Sequence, residues 1–253
     1  MNMVKTFVKK YWVTVLIFAG MVGLYYYGTE YGNANPFLFP KVSSIAKVYE
    51  SDKHLMLQNL WASFKMMIPA VFLSLAIALS LGTFLGLNKK AREALHPVIY
   101  TFSVVPAILL SPFVLLMAPD MFTASIILIV YSTVWATLFA TITGIQTIDK
   151  RYLDKAATLE LTGWKKLTKV ILPAASPSIM AGFVNSLRSS FVMLVFAEMY
   201  GAGEGMGYFV KKNAELGMFS YTWVGFIFMV VILVVVMQVF EKLKNYMLKW
   251  TIE

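Results

Sequence analysis

Residues 122–145 have the sequence FTASIILIVYSTVWATLFATITGI, a run of 24 residues without a charged side chain. A helix needs about 20 apolar residues to cross a bilayer, and a run that does not alternate disfavours the strands of a membrane barrel. The whole chain of 253 residues is 59% hydrophobic and 14% charged, and it contains no cysteine. The sequence therefore predicts an all-helical membrane protein and excludes disulfide frameworks and thiolate metal sites.

Similar apolar runs on both sides of this one predict about six transmembrane helices within a single domain, residues 1–253. The spans are Tyr11–Tyr27, Trp61–Leu87, Val98–Met117, Phe122–Ile145, Ile179–Tyr200 and Thr222–Phe240. Lysines that precede an apolar run, as they do before the first span, are also typical of a signal peptide. Since its end at Tyr25–Tyr27 has no small-residue cleavage pattern, we expect an uncleaved anchor instead.

The distribution of lysine and arginine predicts the orientation. If the amino terminus is inside, fifteen of these residues lie in inside segments and five in outside loops. The inside set is Lys5, Lys9, Lys10, Lys89, Lys90, Arg92, Lys150, Arg151, Lys155, Lys165, Lys166, Lys169, Lys242, Lys244 and Lys249; the outside set is Lys41, Lys47, Lys53, Lys211 and Lys212. This split predicts a multi-pass protein of the cell (inner) membrane with both termini cytoplasmic. With six acidic residues also inside, the inner face carries +9 and the outer loops about −1. The basic excess then faces anionic lipid, and nothing suggests nucleic acid.

Two connecting segments are long. The first outer segment runs from Gly28 to about Leu60, and its amphipathic part, residues 42–49, is expected to form a helix lying on the membrane interface. The inside segment, Gln146 to Ser178, has 33 residues and is polar enough to stand out of the membrane.

The sequence of residues 152–173 within that inside segment is YLDKAATLELTGWKKLTKVILP. Leu153, Ala157 and Leu161 fall on one helical face with Ala156 beside them, so the face is shallow and a partner could approach the backbone closely. Such a short helix suits a groove in another protein. An ordinary surface hairpin is the alternative.

The end of this helix and the start of the next are also predicted from the residue types. Gly163 is expected to end the first helix as its C′ residue. A second amphipathic helix should run from Trp164 toward Leu172 and be stopped by Pro173.

This segment resembles the coupling motif of ABC-importer permeases, which is Glu-Ala-Ala, three residues, Gly, eleven residues and Leu-Pro. Anchored on Leu172 and Pro173, the motif has Asp154 in place of Glu, Lys155 in place of Ala, and Glu160 in place of Gly. The resemblance implies that the ATPase-coupling residues are Asp154, Lys155, Ala156, Ala157, Glu160, Leu161, Gly163, Leu172 and Pro173, with Gly163 taking over the role of the glycine.

Further matches follow in the family's order along the chain. They are Pro40-Lys41-Val42 with Ile45, the pair Pro106 and Pro112, Ala197-Glu198-Met199, and Gly201 to Gly207 followed by Tyr208. Together they resemble the permeases that import nitrate, sulfonates, taurine, bicarbonate or thiamine precursors. The resemblance implies type I ABC-importer permease architecture and a homodimer. It also implies as partners an ATP-binding cassette ATPase subunit and an extracytoplasmic solute-binding protein.

The chain has no Gly-x-x-x-x-Gly-Lys-Ser/Thr loop, so any ATP and Mg are expected on the partner ATPase. We therefore expect a transport subunit that is not an enzyme and has no catalytic residue, cofactor or metal of its own. An ATP-independent secondary transporter or channel is the alternative of another class, but such a protein does not require the long inside segment.

Polar residues in the fifth span give the candidate translocation pathway: Asn185, Arg188, Ser189 and Glu198. A cation as deep as Arg188 needs water or a partner, so it lines a pathway or pairs with helix carbonyls. The family commonly carries an arginine at the place of Val184, one turn earlier. Glu198 is too far along the helix to pair with Arg188 and is expected to tie the outer loop or gate the outer mouth.

The glycine pair Gly82 and Gly86 in the second span has two interpretations. Its spacing suits a helix dimerisation face, or the small residues ease packing inside the subunit.

Overall fold

The computed structural model describes residues 2–251, with side-chain environments for residues 12–250. Regular structure in this part of the chain is entirely helical. The elements are α1 (Asn2–Glu30), α2 (Val42–Leu87), α3 (Lys89–Val104), α4 (Ala107–Met117), α5 (Met121–Gln146), α6 (Lys150–Thr158), α7 (Gly163–Lys166), a π-helical turn (Leu167–Ile171), α8 (Leu172–Gly201), α9 (Met206–Glu215), α10 (Phe219–Met247) and a 3-10 turn (Lys249–Thr251). The side chains of Lys5, Lys9, Lys10 and Tyr11 lie outside the described residues.

Five helices of this part of the chain are long and apolar enough to cross a membrane, and the bent pair of α3 and α4 makes a sixth span if it is counted as one. The prediction of an all-helical protein with about six spans is thus confirmed. Helix α5 begins and ends within one residue of the predicted span. Its start is defined by Asp120, whose carboxylate accepts a 2.8 Å hydrogen bond from the Thr123 N–H.

The prediction of a separate helix at the membrane interface is wrong. Residues 42–49 form the first turns of α2, which continues for 46 residues to Leu87. No glycine or proline lies between Tyr49 and Trp61, so nothing in the sequence interrupts the helix there.

The third span differs from the continuous helix that was predicted over Val98–Met117. Helices α3 and α4 meet at 89°, and the break falls at Val105 and Pro106, which both have extended backbone angles. The physical cause is Pro106, because a proline disfavours the helical conformation of the preceding residue and supplies no N–H.

The described chain divides into two compact units. One unit comprises the segment ending at Leu57 together with Phe209–Ile227. Within it, the Tyr25 hydroxyl donates a 2.7 Å hydrogen bond to the Pro40 carbonyl, and the Trp223 indole donates a 2.9 Å bond to the Leu38 carbonyl.

The other unit comprises Gln58–Tyr208 and the chain from Phe228 onward. Its centre is the close contact of α5 with α8. A Cβ on Gly182 would lie 2.3 Å from the Ala140 Cβ, and the Ser186 Oγ lies 2.8 Å from the Thr137 Oγ1. Small and hydroxyl-bearing residues let membrane helices approach this closely.

The glycine pair of α2 belongs to the same unit. A Cβ on Gly82 would lie 2.7 Å from the Thr141 Cβ, and one on Gly86 would lie 2.9 Å from the Ile145 Cβ. Both glycines therefore face α5 of their own chain, as the packing interpretation predicts.

Candidate functional site

Helix α6 starts with a charged cap. The Asp149 carboxylate accepts a 2.9 Å hydrogen bond from the Arg151 N–H, and the Arg151 guanidinium approaches the same carboxylate to 2.6 Å. These hydrogen bonds from Arg151 hold the pKa of Asp149 below its ordinary value. The cap stays ionised at neutral pH and satisfies a donor of the first turn.

The end of α6 lies at Thr158 and not at Gly163. The Leu161 N–H donates to the Ala156 carbonyl, and the Glu160 N–H donates to the Ala157 carbonyl, both at 2.9 Å. These two bonds form a Schellman motif, which requires a left-handed residue at C′. Glu160 occupies that position with φ of 53°.

The prediction that Gly163 ends the helix is therefore wrong. Gly163 is the first residue of α7 and also has a left-handed φ, 52°. Glu160, which stands where the coupling motif has its glycine, adopts the conformation that a glycine would adopt at lower cost.

Pro173 does not stop the second helix as predicted. The chain passes from α7 through the π-helical turn directly into α8. The Leu172 N–H bonds to the Leu167 carbonyl, five residues back. Pro173 then falls in the first turn of α8, where its missing N–H costs little.

The predicted stripe on α6 is divided between two environments. Ala156 is 1% exposed and Leu153 is half-buried, whereas Ala157 is exposed; Leu161 lies beyond the end of the helix. Beneath α6 is a hollow of about 280 Å³ that Pro173 and residues of the π-helical turn also line. Ala156 thus packs on its own chain, while Ala157 lies on the outer surface.

Large apolar side chains stand exposed in the same segment as Ala157. Leu159 is 60% exposed and Trp164 is 75% exposed, although charged residues, Asp154 and Lys155 among them, are exposed nearby. This segment therefore presents exposed apolar side chains among charged ones. We call the segment Lys150–Lys166 the coupling hairpin.

The structure brings three of the four predicted pathway residues together on one face of α8. Asn185 and Arg188 are exposed, and Ser189 is half-buried beside them. The Arg188 Nη1 donates a 3.2 Å hydrogen bond to the Asn185 Oδ1. We call Asn185, Arg188 and Ser189 the polar face.

A carboxylate of α10 lies next to this face. The Glu241 Oε1 is 3.9 Å from the Arg188 Nη2, and the other oxygen of Glu241 pairs with Lys244. Sequence reasoning missed Glu241 because the last span was predicted to end at Phe240. Helix α10 continues to Met247. Hydropathy could not predict this extension, because the residues after Phe240 are largely polar.

Glu198 does not share the polar face. It has no exposed surface, and its Oε2 accepts a 2.7 Å hydrogen bond from the Gly207 N–H. Helix α2 also holds the glycine turn that follows α8. The Gly205 N–H donates to the Asn59 Oδ1, and the Met206 N–H donates to the Ser63 Oγ, both at 3.0 Å. No local pattern in the sequence pointed to Asn59 or Ser63.

The family of the chain follows from comparison with known proteins. Residues 70–249 match the family model described as binding-protein-dependent transport system inner membrane component. The chain belongs to this family. The predicted resemblance to the binding-protein-dependent import permeases is thereby confirmed.

Individual relatives carry the names of anion permeases. SsuC of Bacillus subtilis (strain 168), whose name assigns it to aliphatic sulfonates, is 27% identical over 178 residues, 70% of this chain and 64% of SsuC. The nitrate import permease NrtB of Leptolyngbya laminosa is 31% identical over 55% of this chain and 50% of NrtB. The bicarbonate transport permease CmpB of Synechococcus elongatus is 29% identical over 63% and 57%. The matches span between half and just under two thirds of these relatives.

Solved structures share the fold at low identity. A chain of the MetNI methionine ABC transporter in an inward-facing conformation has a TM-score of 0.68 at 16% identity, covering 78% of this chain and 98% of that one. A chain of an amino acid ABC transporter has a TM-score of 0.56 at 19% identity, covering 81% and 97%. These likenesses confirm the type I ABC-importer permease architecture.

Proposed function

We propose that the chain forms the translocation pathway of an ATP-driven importer for a small anion such as a sulfonate, nitrate or bicarbonate. It works as a homodimer with two ATPase subunits, which bind ATP and Mg, and with an extracytoplasmic solute-binding protein. The observation that carries this proposal is the coupling hairpin, in which Ala157, Leu159 and Trp164 are all exposed. A transporter that needs no ATPase has no use for this surface.

The hairpin is connected to the pathway by continuous helix. From Gly163 to Gly201 the chain forms 39 residues of uninterrupted helical structure, and Arg188 lies within it. A displacement of the hairpin by closing ATPases is thus transmitted along α8 to the polar face. This rigid coupling is how a partner's ATP cycle opens and closes the pathway.

The charge of Arg188 favours an anion as the solute. The Arg188 side chain is 61% exposed although the Glu241 carboxylate lies 3.9 Å away, so its cation is accessible to a solute. Permeases named for sulfonates, nitrate and bicarbonate are among the relatives. A thiamine-precursor pyrimidine or another small neutral solute is the alternative that an uptake assay distinguishes.

Copurification tests the docking of the ATPase. Ala157→Arg places a long charged side chain on the exposed face of α6 and is expected to abolish association with the ATPase while membrane insertion stays normal. Ala94→Arg, at an exposed alanine of α3, is the matched control and should leave association intact. Stoichiometric copurification of the Ala157→Arg variant would contradict the proposal.

A further inference from the structure

The carboxylate of Glu241 contacts two cations through different oxygens. Its Oε2 forms an ion pair with Lys244, less than one turn further along α10. Its Oε1 lies 3.9 Å from the Nη2 of Arg188 on α8, which is too long for a hydrogen bond. Glu241 is therefore held closely by Lys244 and only loosely by Arg188.

The guanidinium of Arg188 keeps one edge open. Its Nη1 donates to the Asn185 Oδ1, whereas no acceptor for Nε or Nη2 is found within hydrogen-bond distance in the part of the chain that the structure describes. These two N–H groups form one edge of the planar group and match the spacing of two oxygens of an oxyanion. Arg151 uses the same edge on the Asp149 carboxylate, with its Nε at 3.0 Å and its Nη2 at 2.6 Å.

Lys244 gives Glu241 a partner that does not depend on Arg188. An ion pair is costly to break when one of its charges is left alone. If a solute takes the open edge of Arg188, the Glu241 Oε2 remains with Lys244. Two cations and one carboxylate also leave one net positive charge in this cluster, which a single monovalent anion neutralises.

We propose that Glu241 competes with the transported anion for Arg188 and that Lys244 sets how strongly it competes. The inference rests on the proposed function, in which the solute is a small anion. A monovalent oxyanion takes the open edge of Arg188 while the carboxylate stays with Lys244. When the anion leaves, the Glu241 Oε1 again compensates Arg188. The competition keeps the affinity low enough for release, which a site within a transport pathway requires.

Thiol protection in the assembled complex measures this affinity. Because the chain has no cysteine, Val192→Cys gives the permease a single thiol, one helical turn after Arg188 at a position that is 66% exposed. Methyl methanethiosulfonate modifies this thiol, and ethanesulfonate, nitrate and bicarbonate are titrated in turn as protecting anions. Val231→Cys, on an exposed part of α10, is the control for the reporter and should not be protected.

Removal of the competitor should strengthen binding. Glu241→Gln in the reporter protein should lower the half-protecting anion concentration two- to fivefold, the range expected for a partly exposed ion pair. Lys244→Gln should raise that concentration by a similar factor, because Glu241 then has Arg188 as its partner among the described residues. Lys242→Gln, which removes the same charge at an exposed position of α10, is the matched control and should leave it unchanged.

The double variant distinguishes competition from the charge of the region as a whole. In our inference Lys244 acts through Glu241, so Lys244→Gln should have no effect when Glu241→Gln is already present. An equal rise of the half-protecting concentration with and without Glu241 would show that Lys244 attracts the solute by its own charge. That result would overturn the inference.

Further outcomes separate this inference from the proposed function. If the complex takes up an anion with ATP, the role of Glu241 alone is overturned by an unchanged half-protecting concentration in Glu241→Gln. A reporter thiol that none of the three anions protects would overturn it equally. The expected shifts in both variants without ATP-driven uptake would support the role of Glu241 and contradict the proposed function.

Discussion

The Glu198 Oε2, near the carboxyl end of α8, accepts a 2.7 Å hydrogen bond from the Gly207 N–H in the first turn of α9. A Cβ added to Gly205 between them would lie 2.5 Å from the Glu198 Cδ. The glycine turn therefore passes so close to the buried carboxylate that no side chain fits there. This contact holds the glycine turn against the end of α8.

Alanine substitutions at two glycines of this turn should differ in their effect on stability. Gly205→Ala adds the clash with Glu198 at a φ of 114° and should destabilise the protein by about 1–3 kcal/mol. Gly203→Ala is the matched control, because a Cβ there has nothing within 4 Å. Melting temperatures in detergent measure both variants. Equal melting of the two would contradict the close fit of Glu198 and the turn.

Substitution of Glu160 should stabilise the coupling hairpin. Glu160→Gly removes the cost of a left-handed non-glycine residue, about 1 kcal/mol. Amide hydrogen exchange in α6 should therefore slow by about fivefold. Glu160→Ala has a Cβ at the same φ and should bring no such gain. Faster exchange in the glycine variant would show that the Glu160 side chain contributes more than its backbone strain costs.

Removal of the charge at position 188 should affect transport and not stability. Arg188 and Glu241 are 61% and 37% exposed and 3.9 Å apart, so their pair contributes at most about 1 kcal/mol, and Glu241 remains paired with Lys244. Arg188→Gln should lower anion uptake at least tenfold with unchanged melting in detergent. Arg188→Lys should recover part of the uptake, since it restores the charge.

A structural role for Arg188 gives the reverse pattern. In that case Arg188→Gln lowers expression and melting temperature, whereas the uptake rate per folded complex stays normal. Uptake and melting measured on the same preparations distinguish the two.

The orientation remains a prediction from the distribution of lysine and arginine. A cysteine replacing Lys166 should react with an impermeant thiol reagent only after the inner face is opened, and one replacing Lys212 should react in intact cells. Since the chain has no cysteine of its own, each label reports a single site. The opposite labelling would invert the topology and remove the hairpin from the ATPase side.

The sequence predicted those parts of the fold that depend on hydrophobicity alone. The span that became α5 was placed within one residue because a continuous apolar run follows Asp120. The break at Pro106 was not predicted, although the proline was noted, because the packing of the tertiary structure decides whether a proline kinks a helix or divides it. The start of α2 was missed because amphipathicity does not distinguish an interface helix from the end of a longer one.

The candidate site was predicted in part for the same reasons. The polar face could be found from residue spacing along one helix, and the coupling hairpin from such spacing together with the family motif. Glu241, Asn59 and Ser63 could not, because each reaches its partner from a helix distant in sequence. The left-handed Glu160 was also missed, since a glutamate gives no local signal for that conformation.

Uptake by the reconstituted complex is the most direct test of ATP-driven anion import. The permease is placed in proteoliposomes with its ATPase and its solute-binding protein, and entry of ethanesulfonate, nitrate and bicarbonate is followed with and without ATP on the ATPase side. We expect at least one of these anions to enter only with ATP, and we expect Ala157→Arg to abolish its entry. Entry at the same rate without ATP, or driven by an ion gradient alone, would contradict it.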